Sequence, residues 1–224
     1  MSHETLFCLL ALALVSSPIL AAPATGDITA AACASCHGVR GEGNAQAGFP
    51  ALASLPEKYF IKQIEDFRSG ARAGGPDHHA LKIEDGYSYY AAFMKSLAQS
   101  ISPADAQTAA RYFAAQPRAG APAARVAPAV VARGKELAVN GAWDRQIPPC
   151  FKCHATDGQG VAPHFPPIAG QPAAYTIRQL EAWKTGARTN DPQQLMKATT
   201  ALTDEEIRAV AEYLSTLSTQ GNKP

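Results

Sequence analysis

FPALASLPEKYFIKQIEDFRSGAR, residues 49–72, aligns without a gap on FPPIAGQPAAYTIRQLEAWKTGAR, residues 165–188. At a constant offset of 116, Phe49, Pro50, Pro56, Tyr59, Gln63, Gly70, Ala71 and Arg72 meet Phe165, Pro166, Pro172, Tyr175, Gln179, Gly186, Ala187 and Arg188. Gly41 and Gly43 meet Gly158 and Gly160 at an offset of 117. Self-similarity of this kind marks two copies of one structural unit.

Each copy reads as a small helical unit. Tyr59, Phe60, Gln63, Ile64 and Phe67 in the first, and Tyr175, Gln179, Leu180 and Trp183 in the second, fall at helical spacing and give one apolar face. Pro56 and Pro172 suit a first turn, Gly70 and Gly186 a stop. A final helix opens at Ser102 with Asp105 three residues on, and its counterpart at Thr203 with Glu206. Tyr112 and Phe113, and Val210, Tyr213 and Leu214, form the apolar faces of these last helices. No alternating run is long enough for a strand, so the fold class is all-α. QPRAGAPAARVAPA, residues 116–129, reads as an extended connector. The boundary is placed near residue 122, giving domains 25–121 and 122–224.

The 224 residues suit two domains of about 100 residues each. With 20 Lys and Arg against 19 Asp and Glu there is no basic field for nucleic acid. LFCLLALALV, an apolar run from residue 6, precedes the small residues of SSPILAAPATGD and reads as a secretory signal covering residues 1–24. It is short for a span of about 20 residues. The leading MSHET carries no Lys or Arg, which keeps an uncleaved anchor as the alternative. A signal of this type places the mature chain in the periplasm.

Of five cysteines, Cys8 leaves with the signal, and Cys33, Cys36, Cys150 and Cys153 all lie in CASCH (33–37) and CFKCH (150–154). Cys-x-x-Cys-His is the attachment signature of c-type haem. Two thiols three positions apart can form thioethers to the vinyl groups on one porphyrin edge, and the next residue, His37 or His154, falls under the iron. A zinc ribbon would set its two cysteine pairs about 15 to 20 residues apart, and a dithiol redox motif would sit in a βαβ unit. Neither context is present. The expected cofactors are two haem c groups, covalently attached.

A haem iron in an electron carrier takes a sixth ligand, and methionine opposite histidine is the common choice. After the start codon only Met94 and Met196 remain, one per copy, each ahead of the last helix. Both are expected to bind iron. The first copy carries extra residues over 73–93, including His78 and His79, either of which is an alternative to Met94. His164 is read as a surface residue.

The order CASCHG, FPALAS, YFIKQIEDFRSGAR, Met94 and then CFKCHA, FPPIAGQPAAYTIRQLEAWKTGAR, Met196, LTDEEIRAVAEYL resembles the dihaem cytochrome c4 family. It is also similar to the dihaem cytochrome subunits of flavocytochrome c sulfide dehydrogenases. The resemblance covers nearly the whole mature chain. It implies two tandem class I cytochrome c domains related by an approximate two-fold axis, with haem propionates near the interface and fast exchange between the irons. Departures from the family pattern are Ala155 where glycine is usual, Ser54-Leu55 in place of Gly170-Gln171, the segment NGAWDRQIPP before Cys150, and the insertion.

The expected function is a periplasmic dihaem cytochrome that shuttles electrons between redox-partner proteins: a dehydrogenase, oxidase or reductase. Any peripheral membrane association would come through such a partner. The alternative is an electron-accepting subunit of a periplasmic dehydrogenase, with Tyr87, Tyr89, Tyr90 and Phe93 as a docking face. A dihaem enzyme such as a peroxidase would need an open iron, which a methionine in each copy opposes, and no mature cysteine is left over as an iron ligand. The chain is expected not to be an enzyme.

Overall fold

The computed structural model describes residues 28–72, 86–120 and 126–219. The expected signal, the insertion residues 73–85 with His78 and His79, and the boundary near 122 lie outside the described residues. Copy one consists of α1 (Ile28–His37), α2 (Glu57–Ser69), α3 (Gly86–Ser100) and α4 (Pro103–Ala114). Copy two consists of α5 (Pro128–Asn140), α6 (Cys150–His154), α7 (Ala173–Thr185) and α8 (Asp204–Thr216), with 3-10 turns at Trp143–Arg145, Thr156–Gly158 and Leu195–Thr199. Among the described residues there is no strand, only isolated pairs such as Asn44 with Phe49 and Val161 with Phe165. The all-α reading and the duplication both hold.

The helix ends follow the sequence signals. Pro56 and Pro172 precede α2 and α7, and Gly70 (φ 89°) and Gly186 (φ 77°) close them in the left-handed region that glycine enters without steric cost. Ser102 Oγ accepts from Asp105 N to cap α4, and Thr203 with Glu206 forms a reciprocal box on α8.

Each copy builds a core, and Ala182 of α7 in the second joins the core of the first. Phe60, Ile64 and Phe67 of α2 pack with Tyr87 and Phe113 in the first, and Leu137, Ile207, Val210, Tyr213 and Leu214 pack in the second. Burying side chains of this size stabilises by about 1.5–3 kcal/mol each. In copy two, α5 crosses α8 at Gly134, where a Cβ would overlap the carbonyl oxygen of Ala209. NGAWDRQIPP folds back on itself through paired hydrogen bonds between Ala142 and Ile147, and Arg145 within it reaches Glu206 at the start of α8.

The copies meet along a polar interface built from the repeated residues. Arg72 donates to Gln63 at 2.7 Å within its copy and to Tyr175 Oη at 2.8 Å across the boundary. Arg188 donates to Gln179 at 2.7 Å in its own copy and at 3.5 Å to Gln63 in the other.

The connector differs from its sequence reading. Arg118 is 1% exposed, its guanidinium enclosed by main-chain carbonyls. Nη1 donates to Pro167 O (3.1 Å) and Ala169 O (2.9 Å), and Nη2 to Ala51 O (3.4 Å) and Ala53 O (2.5 Å). Ala51 and Ala53 match Pro167 and Ala169 at the offset of 116, so one residue of the connector serves equivalent atoms of both copies. Residues 116–120 are therefore an interface element, and burial pulls the Arg118 guanidinium down to about 10.

Candidate haem sites

Both Cys-x-x-Cys-His motifs lie at helix ends. In copy one the motif closes the ten-residue α1, and in copy two it forms the whole of the short α6. No disulfide joins the four cysteines, so each sulfur is available for a thioether bond to haem.

The two histidines share one geometry. His37 Nδ1 lies 2.8 Å from Pro50 O, and His154 Nδ1 lies 2.8 Å from Pro166 O. A ring N–H donated from Nδ1 to a carbonyl fixes the tautomer and leaves the Nε2 lone pair as a metal ligand. Burial lowers both imidazoles from their ordinary value, which favours that neutral form. The loops holding the acceptors repeat as well: Gly43 N donates to His37 O and Gly160 N to His154 O, both at 2.7 Å. Gly41 O accepts from Leu52 and Ala53, and Gly158 O from Ile168 and Ala169. A Cβ on Gly43 would press on Ala51 N, which explains the repeated glycine. The phenylalanine of each Phe-Pro pair flanks its histidine, Phe49 at 6.1 Å and Phe165 at 6.0 Å between ring centroids. The Phe-Pro repeat was visible in the sequence, but its role as histidine acceptor was not, because a backbone carbonyl leaves no residue-type signal.

Met94 and Met196 occupy different elements. Met94 is half-buried within α3 against the first core, whereas Met196 is half-buried in the Leu195–Thr199 turn, its N–H held by Asp191 Oδ2 at 2.6 Å. Each precedes the N-cap of its final helix, Ser102 or Thr203, as the sequence suggested. His164 is exposed.

The docking face splits. Tyr87 is buried and donates to Arg72 O at 2.7 Å, and Tyr90 donates to Ala47 O, stands edge-on to Phe49 and lies under Arg178 of copy two. Only Tyr89 (58% exposed) and Phe93 (55%) face outward. Two of the four aromatics therefore serve the interior, because their ring positions on α3 point at the first haem loop and the second copy.

Charge gives an independent test of whether two haems fit. Arg72, Arg118 and Arg188 are all buried, and none pairs with a carboxylate among the described residues. Arg72 Nε and Arg118 Nε are buried without a hydrogen-bond partner. Against the upward push of burial, Arg72, then Arg188 and Arg118, hold the Tyr175 hydroxyl below its ordinary value. Buried cations without anions are costly. Carboxylates carried in by bound groups would neutralise this cluster, so the residues fit the propionate edges of two haems. Among the described residues no helix is long and apolar enough to cross a membrane.

A family model described as cytochrome c matches residues 26–115 and again 131–218. The chain is 40% identical to a thiosulfate dehydrogenase electron acceptor of Stutzerimonas stutzeri over 83% of this chain and 79% of that protein. The crystal structure of reduced cytochrome c4 from Pseudomonas stutzeri superposes with a TM-score of 0.70 at 33% identity, covering 84% of this chain and 94% of that one. The as-isolated thiosulfate dehydrogenase of Marichromatium purpuratum superposes with a TM-score of 0.68 at 35% identity over 83% of this chain, which spans 36% of that longer one.

Proposed function

The chain belongs to the dihaem cytochrome c4 family and is an electron-transfer cytochrome with two haem c groups, and on that premise we propose its ligands, its location and its partner. Cys33 and Cys36 carry the first haem and Cys150 and Cys153 the second. His37 and Met94 ligate one iron, His154 and Met196 the other. The observation that carries this reading is the pair of 2.8 Å contacts from His37 and His154 to Pro50 O and Pro166 O. The bound groups supply iron that cycles between ferric and ferrous forms. The protein fixes the histidine tautomers, and its buried Arg72, Arg118 and Arg188 would offset the charge of the propionates. A histidine and a methionine for each iron would leave no open ligand position for a substrate, and on this reading the protein acts as carrier, not enzyme.

The mature chain begins after residue 24 in the periplasm, in domains 25–121 and 122–224. Its electron donor is a thiosulfate-oxidising dehydrogenase, as the name of the 40% identical relative supports. Docking then uses the exposed Tyr89 and Phe93 of α3, Tyr89 standing edge-on to Tyr90, which in turn stands edge-on to Phe49 of the first haem loop. In a stopped-flow mixture, a thiosulfate dehydrogenase given thiosulfate should reduce both haems, and Tyr89→Ala with Phe93→Ala should slow this at least tenfold with unchanged spectra. Reduction by dithionite but not by the enzyme would remove this donor.

A further inference from the structure

Gln171 is 7% exposed and belongs to copy two, yet both ends of its amide bind copy one. Oε1 accepts from Ala51 N at 3.0 Å and Nε2 donates to Ala51 O at 2.9 Å. The Ala51 N–H and the Pro50 carbonyl belong to the same peptide unit, and Pro50 O is the acceptor of His37 Nδ1–H. An acceptor on the N–H of a peptide polarises its carbonyl, since hydrogen bonds in a chain reinforce one another by about 10–30% each. A more polarised Pro50 carbonyl draws the His37 ring proton more strongly and makes Nε2 a better donor to ferric iron.

We propose that Gln171 of the second copy positions and polarises the Pro50–Ala51 peptide that orients His37 in the first, and thereby holds the first haem at a lower potential than it would otherwise have. The second haem has no equivalent device, for two reasons readable at the offset of 116. The position matching Gln171 is Leu55, which has no amide to reach across, and the position matching Ala51 is Pro167, which has no N–H to be accepted. Arg118 does not create this difference, because it binds matching carbonyls in both copies. The two-fold interface is thus chemically one-sided at the atoms nearest the iron ligands. The proposal rests on His37 and His154 being the proximal ligands.

The test is potentiometric titration of the intact dihaem protein carrying Gln171→Met, combined with proton NMR of nitrogen-15 histidine. The ring Nδ1–H signals are assigned through Phe49 beside His37 and Phe165 beside His154. The expected result is a rise of the first potential alone, with a shifted and faster-exchanging His37 ring proton and an unmoved His154 signal. Equal movement of both haems, or of neither, overturns the proposal. Gln171→Glu keeps the acceptor oxygen, and with it the first potential should stay at or below the wild-type value even if the Met variant assembles poorly. A rise in that variant would also overturn it. Failure of the ligand reading looks different: the wild type would then lack two histidine ring protons shifted by iron.

Discussion

The Arg118 side chain runs over Gly170, its Cγ and Cδ filling the space that a Cβ at 170 would need. Gly170 has φ 69°, so an added methyl would be strained as well as crowded. Ser54, the matching residue of copy one, keeps φ 63° as a non-glycine and uses its hydroxyl to bond Gln116 O at 2.8 Å and Thr219 at 2.7 Å. The connector therefore passes over a glycine on one side and is tied by a serine on the other. Gly170→Ala should destabilise the holoprotein by about 1–3 kcal/mol. Amides 51–53 and 168–169 should exchange faster together. Thermal unfolding with hydrogen exchange checks both, and protection lost in only one copy would deny Arg118 its shared role.

Replacing Cys150 and Cys153 by Ala should leave one covalent haem, in the first copy. Each motif has its own histidine and its own Phe-Pro acceptor, so neither depends on the other for attachment chemistry. Pyridine haemochrome analysis after denaturation counts the haems. Two covalent haems in the variant would break the assignment.

What the sequence exposed and what it concealed follow from how each feature is encoded. Helix ends at Gly70, Gly186, Ser102 and Thr203 depend on local residue chemistry, which a sequence displays directly. The duplication displays itself through identical residues. Arg118 was hidden because its partners are four carbonyls in two distant loops, and nothing about a Pro- and Ala-rich connector marks one arginine as buried. The role of Gln171 was half visible: Leu55 departs from the repeat, but nothing in the residue type marks a glutamine that crosses to the other copy. The aromatic insertion misled, since a run of tyrosines reads the same whether it faces outward, as Tyr89 does, or its own protein, as Tyr90 does.

Met196→Ala should abolish the methionine-to-iron charge-transfer band of one haem, lower that haem's potential and open its iron to imidazole or cyanide, because a soft thioether favours ferrous iron. Met94→Ala should do the same for the other. His78→Ala with His79→Ala should leave both bands in place. Near-infrared absorption during titration reads all three variants. A wild type with only one such band would transfer the first iron to a histidine.

Ala155 adopts φ 59° and ψ 170°, a region suited to glycine, and its counterpart Gly38 at the offset of 117 has φ 84°. The departure from the family pattern is thus a strained residue directly after His154. Ala155→Gly should stabilise copy two by about 1 kcal/mol, the relief of strain being partly offset by the freedom glycine gains in the unfolded chain. A rise in Tm with unaltered spectra is the expected readout.

Glu206 links the start of α8 to the chain that leads into the second haem motif. It accepts from Arg145 Nη2 at 2.7 Å and Nη1 at 2.9 Å, from Arg133 at 2.6 Å, and from Thr203 N at 3.1 Å. Its hydrogen bonds to Arg145 outweigh the burial that opposes them and, with Thr203 and Arg133, hold the carboxyl down to about 2 from an ordinary 4.5. A carboxyl depressed in the folded state contributes stability that is complete above its unfolded value and is lost as pH falls through the folded one. Glu206→Gln should therefore destabilise copy two at pH 7 by at least the about 1 kcal/mol expected for a lost cap. The gap between wild type and variant should stay constant down to about 4.5 and close towards about 2. Denaturant titrations across that range, read at the second haem, measure it. A gap that persists unchanged at the acid end would mean that the carboxylate charge is not what fastens α8 to the Arg145 loop.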